Sequence, residues 1–89
     1  MIDDVPETLR FPCDYPIKVM VRADPGVRGR VDAIIEQHVG PLEGLLISER
    51  SSAGKRFIGI TYVIHATSAA QIEALFGALK LCPLVLLVL

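Results

Sequence analysis

The residues of this chain that could carry out chemistry are few and scattered. His38 and His65 could bind a metal or transfer protons, but neither has a second ligand or an orienting partner at a recognisable spacing. Packing at a helix end and at a strand end is the alternative for these two histidines. Cys13 and Cys82 form neither a CxxC pair nor a disulfide framework. They could approach each other through the N-terminal tail and the last connector, or act as small apolar packing groups. We therefore predict no catalytic residue, no metal site and no cofactor.

The first candidate binding site consists of Asp24, Pro25 and Gly26, which lie between a predicted strand and a predicted helix. A glycine at this place lets a ligand approach the backbone, and the N-terminus of a helix favours an anion such as a carboxylate. The alternative is that the three residues only start the helix. Asp24 would then cap free backbone N–H groups, and Pro25 would occupy the first turn.

A second candidate site is the loop that contains Ser51, Ser52, Gly54 and Lys55, followed by Arg56. Its hydroxyls, backbone N–H groups and two cations could hold an anion. It is not a P-loop, because it joins two strands and lacks the GxxxxGK[ST] pattern. The alternative is a solvated hairpin loop in which the glycine supplies a positive φ if the turn needs one.

Six predicted elements must position these candidate sites. Strands are expected at residues 15–22, 42–50, 56–66 and 84–89, and helices at residues 24–38 and 68–80. The order βαββαβ is typical of the ferredoxin-like α+β sandwich, a four-stranded antiparallel sheet with two helices on one face. We expect the strand order 4-1-3-2, with the pairing of the first and third strands as the one parallel exception.

Composition and charge restrict the classes of partner. The 89 residues have a net charge of −1, and from residue 15 onward eight basic side chains nearly balance six acidic ones. This part of the chain lacks the basic patch that nucleic-acid binding requires. The acidic N-terminus is unlike a signal peptide, and the last apolar run is too short to span a bilayer. We expect a cytoplasmic protein that binds neither nucleic acid nor membranes, with a flexible acidic tail at residues 1–10 and a single domain at residues 11–89.

One face of the predicted sheet is expected to meet another chain. The hydrophobic content is 52%, which is high for a domain of this size. The last predicted strand is apolar on both faces, so it should be buried on both sides. On the face without helices, alternation places Met20, Thr61, Val63 and a row of the last strand that includes Leu86. A monomer would expose this row to water, so we predict that this face, or the edge strand at 42–50, forms a homodimer or binds another protein.

Several short motifs occur in the order and at the spacing of a known bacterial family. They are Phe11-Pro12, Tyr15, Lys18-Val19-Met20, Ser51-Ser52-Ala53-Gly54-Lys55, Ala66-Thr67 and Gln71-Ile72-Glu73. Together they resemble the YbeD-like family of small proteins, which are labelled proposed lipoate regulatory proteins. The resemblance implies a ferredoxin-like fold similar to ACT regulatory domains, and it supplies no catalytic residues. ACT domains place a glycine-containing turn beside their ligand at the position of Asp24–Gly26, although their aspartate is usually one residue further from the glycine.

Two functional hypotheses follow, and neither is an enzyme. The first is a regulatory or interaction module that self-associates and binds a small carboxylate metabolite, related to lipoate only through the family label. The second is a structural adaptor that binds a protein, or itself, through the open sheet face and takes no small molecule. The resemblance leads us to expect a charged residue in the last strand. Its absence here favours a covered face under either hypothesis.

Overall fold

The computed structural model describes residues 10–89, so residues 1–9 of the predicted tail lie outside the described part. The elements are β1 (Cys13–Arg22), α1 (Val27–Val39), β2 (Leu46–Ser51), β3 (Phe57–Ala66), α2 (Ala69–Lys80) and β4 (Val85–Val88). The order βαββαβ confirms the predicted ferredoxin-like α+β class. Within residues 10–89, no helix is long and apolar enough to cross a membrane.

The four strands form one sheet in the order β2-β3-β1-β4, which is the predicted order given from the other edge. β1 pairs with β3 in the antiparallel sense, from Cys13 opposite Ala66 to Arg22 opposite Phe57. The expected parallel pairing of the first and third strands is therefore wrong. The crossover through α1 makes β1 parallel to β2, and the β2–β3 hairpin then reverses the chain, so β3 runs opposite to β1.

The core lies between the helices and one face of the sheet. Every second side chain of β1 and β3 enters it, as the alternation predicts. An apolar stripe of α2, formed by Ile72, Leu75, Phe76 and Leu79, is buried against the same cluster. The core residues contributed by the two central strands are Ile17, Val19, Val21, Ile60, Tyr62, Ile64 and Ala66.

The starts of β1, α1 and β2 differ from prediction by two to four residues. β2 begins at Leu46 because residues 42–45 form a turn, in which the Leu45 N–H donates to the Leu42 carbonyl at 3.0 Å. Gly44 supplies the positive φ of 88° that this turn uses. At α2, the Ser68 hydroxyl accepts from the Gln71 N–H at 3.1 Å, which is one half of a capping box, whereas the Gln71 side chain accepts from the Thr67 N–H at 2.8 Å. The start of α1 also differs and belongs to the candidate site.

Candidate functional site

The predicted ligand turn, Asp24-Pro25-Gly26, precedes α1 and is not part of it. The Val27 N–H donates to the Asp24 carbonyl at 3.1 Å, and Gly26 has φ 78° and ψ 0°. These values, with proline one position earlier, define a type II β-turn. Gly26 is the N-cap of α1, and within the described residues no side-chain hydrogen bond caps the helix there. The predicted capping by Asp24 is therefore wrong, and its carboxylate lies on the protein surface.

Gly26 should be needed for the backbone of this turn, which a pair of alanine substitutions can test. Gly26→Ala is expected to lower the free energy of unfolding by about 1–2 kcal/mol, because a side chain disfavours the φ of 78°. The matched control is Gly29→Ala inside α1, where an added Cβ meets nothing within 4 Å. The control should raise stability by about 0.5–1 kcal/mol through helix propensity. Equal effects in urea denaturation would contradict the assignment of the turn.

The second predicted site, the loop after β2, is a hairpin held by Ser52. Ser52 donates its N–H to the Phe57 carbonyl at 2.9 Å, and its hydroxyl accepts from the Phe57 N–H at 3.2 Å. The positive φ of the loop belongs to Lys55, at 55°, and not to Gly54, which was expected to supply one if the turn needed it. Ser51 ends β2 and is exposed. The Ser52 hydroxyl is thus used inside the hairpin, and an anion-binding role for this loop stays a prediction.

The two predicted sites meet at one end of the sheet. The Ala23 N–H donates to the Arg56 carbonyl at 2.9 Å, which ties the end of β1 to the start of β3. A cavity of about 410 Å³ opens there, lined by Arg22, Ala23, Asp24, Arg56 and Phe57. We call it the arginine cleft. Within residues 10–89, neither arginine of the cleft forms an ion pair.

Of the residues that the sequence indicated, Asp24 and the cation Arg56 line the arginine cleft. Pro25 and Gly26 shape the adjacent turn, and the four predicted anion-loop residues lie outside the lining. Arg22 and Phe57 face each other in the register of β1 and β3. Sequence reasoning did not combine these two residues into a site, because their juxtaposition depends on the strand register. The usable signal was that each lies at the end of a predicted strand next to a candidate loop.

The predicted interface residues lie largely as expected on the sheet face without helices. Met20, Thr61 and Val63 are half-buried there. The side chains of Met20 and Lys18 extend across Gly59, where an added Cβ would approach the Met20 Sδ to 3.1 Å. Glycine at this position therefore lets neighbouring side chains cover the strand. The described helices leave this face uncovered, but the side chains of Met20 and Lys18 partly shield its centre from solvent.

β4 is the most exposed apolar element of the sheet. Leu86, Leu87 and Leu89 are 47%, 49% and 61% exposed, so the expectation that this strand is buried on both sides is wrong for the single chain. The physical reason is its position, since among residues 10–89 β4 pairs with β1 alone and no strand lies along its other edge. Leu86, a predicted interface residue, is the extra residue of β4 at a register shift. The opposite edge strand, β2, instead carries the charged residues Glu49 and Arg50.

A polar network ties α1 to the sheet. The Tyr62 hydroxyl donates to Asp32 Oδ1, which also accepts from Arg28 Nε at 2.8 Å. Arg28 further donates to Glu49 Oε1 at 2.8 Å. Burial, and then the hydrogen bond to Asp32, raise the pKa of Tyr62. Tyr62 points inward, in agreement with the alternation of β3, and Arg28 and Asp32 on α1 are half-buried.

The two histidines have local partners. His38 Nδ1 lies 3.0 Å from the Ile34 carbonyl in the preceding turn of α1. His65 Nδ1 lies 3.3 Å from Asp14 Oδ1 in an exposed cross-strand pair. In the part of the chain that the structure describes, no group of three His, Cys, Asp or Glu residues could hold a metal ion. Each ring thus has one local polar contact among the described residues.

The two cysteines are free thiols at opposite ends of β1. Cys13 begins the strand, whereas Cys82 lies in the connector whose Leu84 carbonyl accepts from Arg22 at the other end. Ten residues of extended chain separate these ends by about 30 Å. The suggested approach of the two thiols is therefore wrong. Cys82 is instead a small buried packing group.

Comparison with known proteins gives matches along nearly the whole chain. A model for a protein family of unknown function, DUF493, matches residues 6–89. A UPF0250 protein of Paraburkholderia phytofirmans is 32% identical over 79 residues, covering 89% of each chain. The UPF0250 protein of Nitrosomonas europaea is 31% identical and covers 91% of this chain and 93% of its own. A UPF0250 protein of Chromobacterium violaceum is 29% identical and covers all of both chains. No solved structure matches at a significant level.

Proposed function

The chain belongs to the DUF493 family of proteins of unknown function, and we propose that it is an interaction module that pairs with a second copy of itself through β4. The membership confirms the resemblance to the YbeD-like family. The proposed module is not an enzyme, and its two free thiols fit a reducing compartment such as the cytoplasm. The open apolar edge of β4 supports the proposal.

Edge strands normally carry features that prevent pairing with other chains. Charged side chains, proline and short length all serve this purpose. β2 has this protection through Glu49 and Arg50. β4 is short, but its sequence Val-Leu-Leu-Val contains neither charge nor proline, and the flanking Leu89 is 61% exposed. The difference between the two edges supports β4 as the surface that binds another polypeptide.

The charges beside β4 favour a second copy as the occupant. Lys80 of α2 lines a cavity of about 310 Å³ together with β4, and Glu73 lies two turns earlier on the same helix face. Within residues 10–89, neither forms an ion pair. When two β4 strands pair antiparallel around a two-fold axis, the α2 helices also run antiparallel. Glu73 of each copy then faces Lys80 of the other, so the surface is complementary to itself.

The surface area sets a further requirement for this dimer. A stable interface buries about 800 Å² per partner, roughly one seventh of the 5790 Å² surface of the described residues. Pairing four residues of β4 is too little for this. α2, which packs beside β4, must therefore contribute. Gly77 on the exposed side of α2 meets nothing within 4 Å, which leaves room for the two helices to approach.

Sedimentation velocity over a concentration series tests the pairing. The unmodified protein should sediment as a dimer at micromolar concentration, and Leu86→Lys should sediment as a monomer with an unchanged circular dichroism spectrum. The matched control, Leu46→Lys, places the same charge on the β2 edge at a side chain that is 74% exposed, and it should stay dimeric.

A charge exchange then identifies the partner as a second copy. Lys80→Glu should weaken the dimer through like-charge repulsion with Glu73, and adding Glu73→Lys should restore it. A monomer at every concentration would contradict the proposal. A dimer broken by Leu46→Lys but not by Leu86→Lys would move the interface away from β4. A monomer that captures a different protein through β4 would favour the adaptor hypothesis.

A regulatory version of this function adds a small carboxylate metabolite as ligand. The observation that favours it is the arginine cleft beside Asp24, with two guanidinium groups that form no ion pair within residues 10–89. Thermal shifts against lipoate, octanoate and amino acids would test it, because a ligand that binds the folded state raises the melting temperature. The absence of any shift would leave the interaction module as the proposed function.

A further inference from the structure

We infer that the arginine cleft binds a monocarboxylate that carries an apolar chain or ring. The inference rests on the regulatory version of the proposed function and defines its site and ligand class. Arg22 and Arg56 both line the cavity, and within residues 10–89 neither is engaged by a carboxylate. A volume of about 410 Å³ is within the usual range for small-molecule sites.

The charges of the cleft select the anion. Guanidinium groups bind carboxylates through paired N–H donors in a planar geometry. Asp24 also lines the cavity, so the three charged groups sum to +1. A single carboxylate neutralises that charge, whereas a dianion such as phosphate leaves an excess negative charge beside Asp24. The cleft therefore favours a monoanion over a phosphate ester.

Phe57 defines the rest of the ligand. Its side chain is 39% exposed at the wall of the cavity, opposite Arg22 in the strand register. The exposed part of this aromatic side chain provides an apolar surface for an alkyl chain or ring attached to the carboxylate. A ligand that has both a carboxylate and an apolar group contacts Phe57 as well as the arginines. Acetate, or an amino acid with a small side chain, contacts only the arginines.

The backbone around the cleft holds these side chains in a fixed frame. Arg22 donates its N–H to the Leu84 carbonyl at 3.0 Å, and Ala23 donates to the Arg56 carbonyl at 2.9 Å. Two hydrogen bonds between Ser52 and Phe57 close the β2–β3 hairpin next to the cleft. The hairpin and the turn thus position the cleft residues, and the site takes one residue, Asp24 or Arg56, from each segment that the sequence indicated. Little ordering of the backbone is then required on binding.

Amide chemical-shift mapping tests the ligand class with three probes: octanoate, octanamide and inorganic phosphate. Octanoate should shift the amides of Arg22, Ala23, Asp24, Arg56 and Phe57 in a saturable manner. Octanamide, which has the same chain without the charge, should bind at least about tenfold more weakly, since a hydrogen bond to a charged group is worth roughly 1.5–3 kcal/mol. Phosphate should cause smaller shifts at the same concentration. Equal affinity for octanoate and octanamide would overturn the inference.

Variants assign the binding to the cleft. Arg56→Gln should weaken octanoate binding by about tenfold to a hundredfold. The matched control, Arg30→Gln, removes an exposed arginine on α1 and should leave the affinity unchanged. Octanoate that binds with shifts elsewhere, or with equal affinity to the Arg56 variant, would overturn the cleft assignment while leaving the regulatory version intact. No binding of any carboxylate would overturn both, and neither result bears on the dimer.

Discussion

Replacing Ile60 with alanine is expected to lower the free energy of unfolding by about 2–5 kcal/mol. Ile60 is fully buried in β3, between Val19 of β1 and Glu49 of β2. The substitution removes buried methyl groups and leaves a cavity that the flanking strands, both held by backbone hydrogen bonds, can close only in part. A domain of this size is stable by roughly 5–13 kcal/mol, so the loss is a large fraction of the total.

Urea denaturation monitored by circular dichroism measures this loss. The matched control is Leu81→Ala, which removes a similar apolar side chain that is 84% exposed after α2. It should change the free energy of unfolding by no more than about 0.5 kcal/mol. If the two substitutions lowered the free energy of unfolding by similar amounts, the placement of Ile60 in the core and of Leu81 on the surface would be contradicted.

Replacing Asp32 with alanine is expected to cost about 1–3 kcal/mol, because the hydroxyl of the buried Tyr62 loses its acceptor. Arg28 loses one of its two carboxylate partners as well. Asp32→Asn keeps an acceptor oxygen without the charge and should recover part of the loss. Because Asp32 and Tyr62 are in contact, the effects of Asp32→Ala and Tyr62→Phe should not add, and a double-mutant cycle measures the difference.

The same network predicts how stability changes at alkaline pH. Burial and the hydrogen bond to Asp32 raise the pKa of Tyr62 in the folded state. Above pH ~10, where an unfolded tyrosine ionises, the folded protein retains a proton that the unfolded chain has lost. The free energy of unfolding should therefore fall by about 1.4 kcal/mol per pH unit from this residue until Tyr62 itself ionises. Tyr62→Phe should lack this contribution, and an identical alkaline slope in the variant would contradict it.

The candidate site shows which of its features short sequence patterns predict and which they do not. The sequence predicted the two turns that lie next to the arginine cleft, because Asp24-Pro25-Gly26 and the loop at 51–55 contain residues that are typical of turns. It assigned binding to the loops themselves. The structure instead forms the cavity at the strand ends, where Arg22 and Phe57 join Arg56 and Asp24, the two lining residues that the sequence had indicated. Those side chains are brought together by the pairing of β1 with β3, which no local spacing reports.

By itself, the sequence determined the order of the elements, the ferredoxin-like class and the alternation that buries Ile60 and Tyr62. These follow from periodicities of 2 and 3.6 residues, which act over short stretches of chain. The tertiary structure alone decided the antiparallel pairing of β1 with β3, the exposed edge of β4 and the composition of the cleft. The reason is that strand neighbours and register are set by contacts between distant residues. In the sequence pattern, the apolar Leu86 resembles a core residue. Its exposure follows only once β4 is known to be an edge strand.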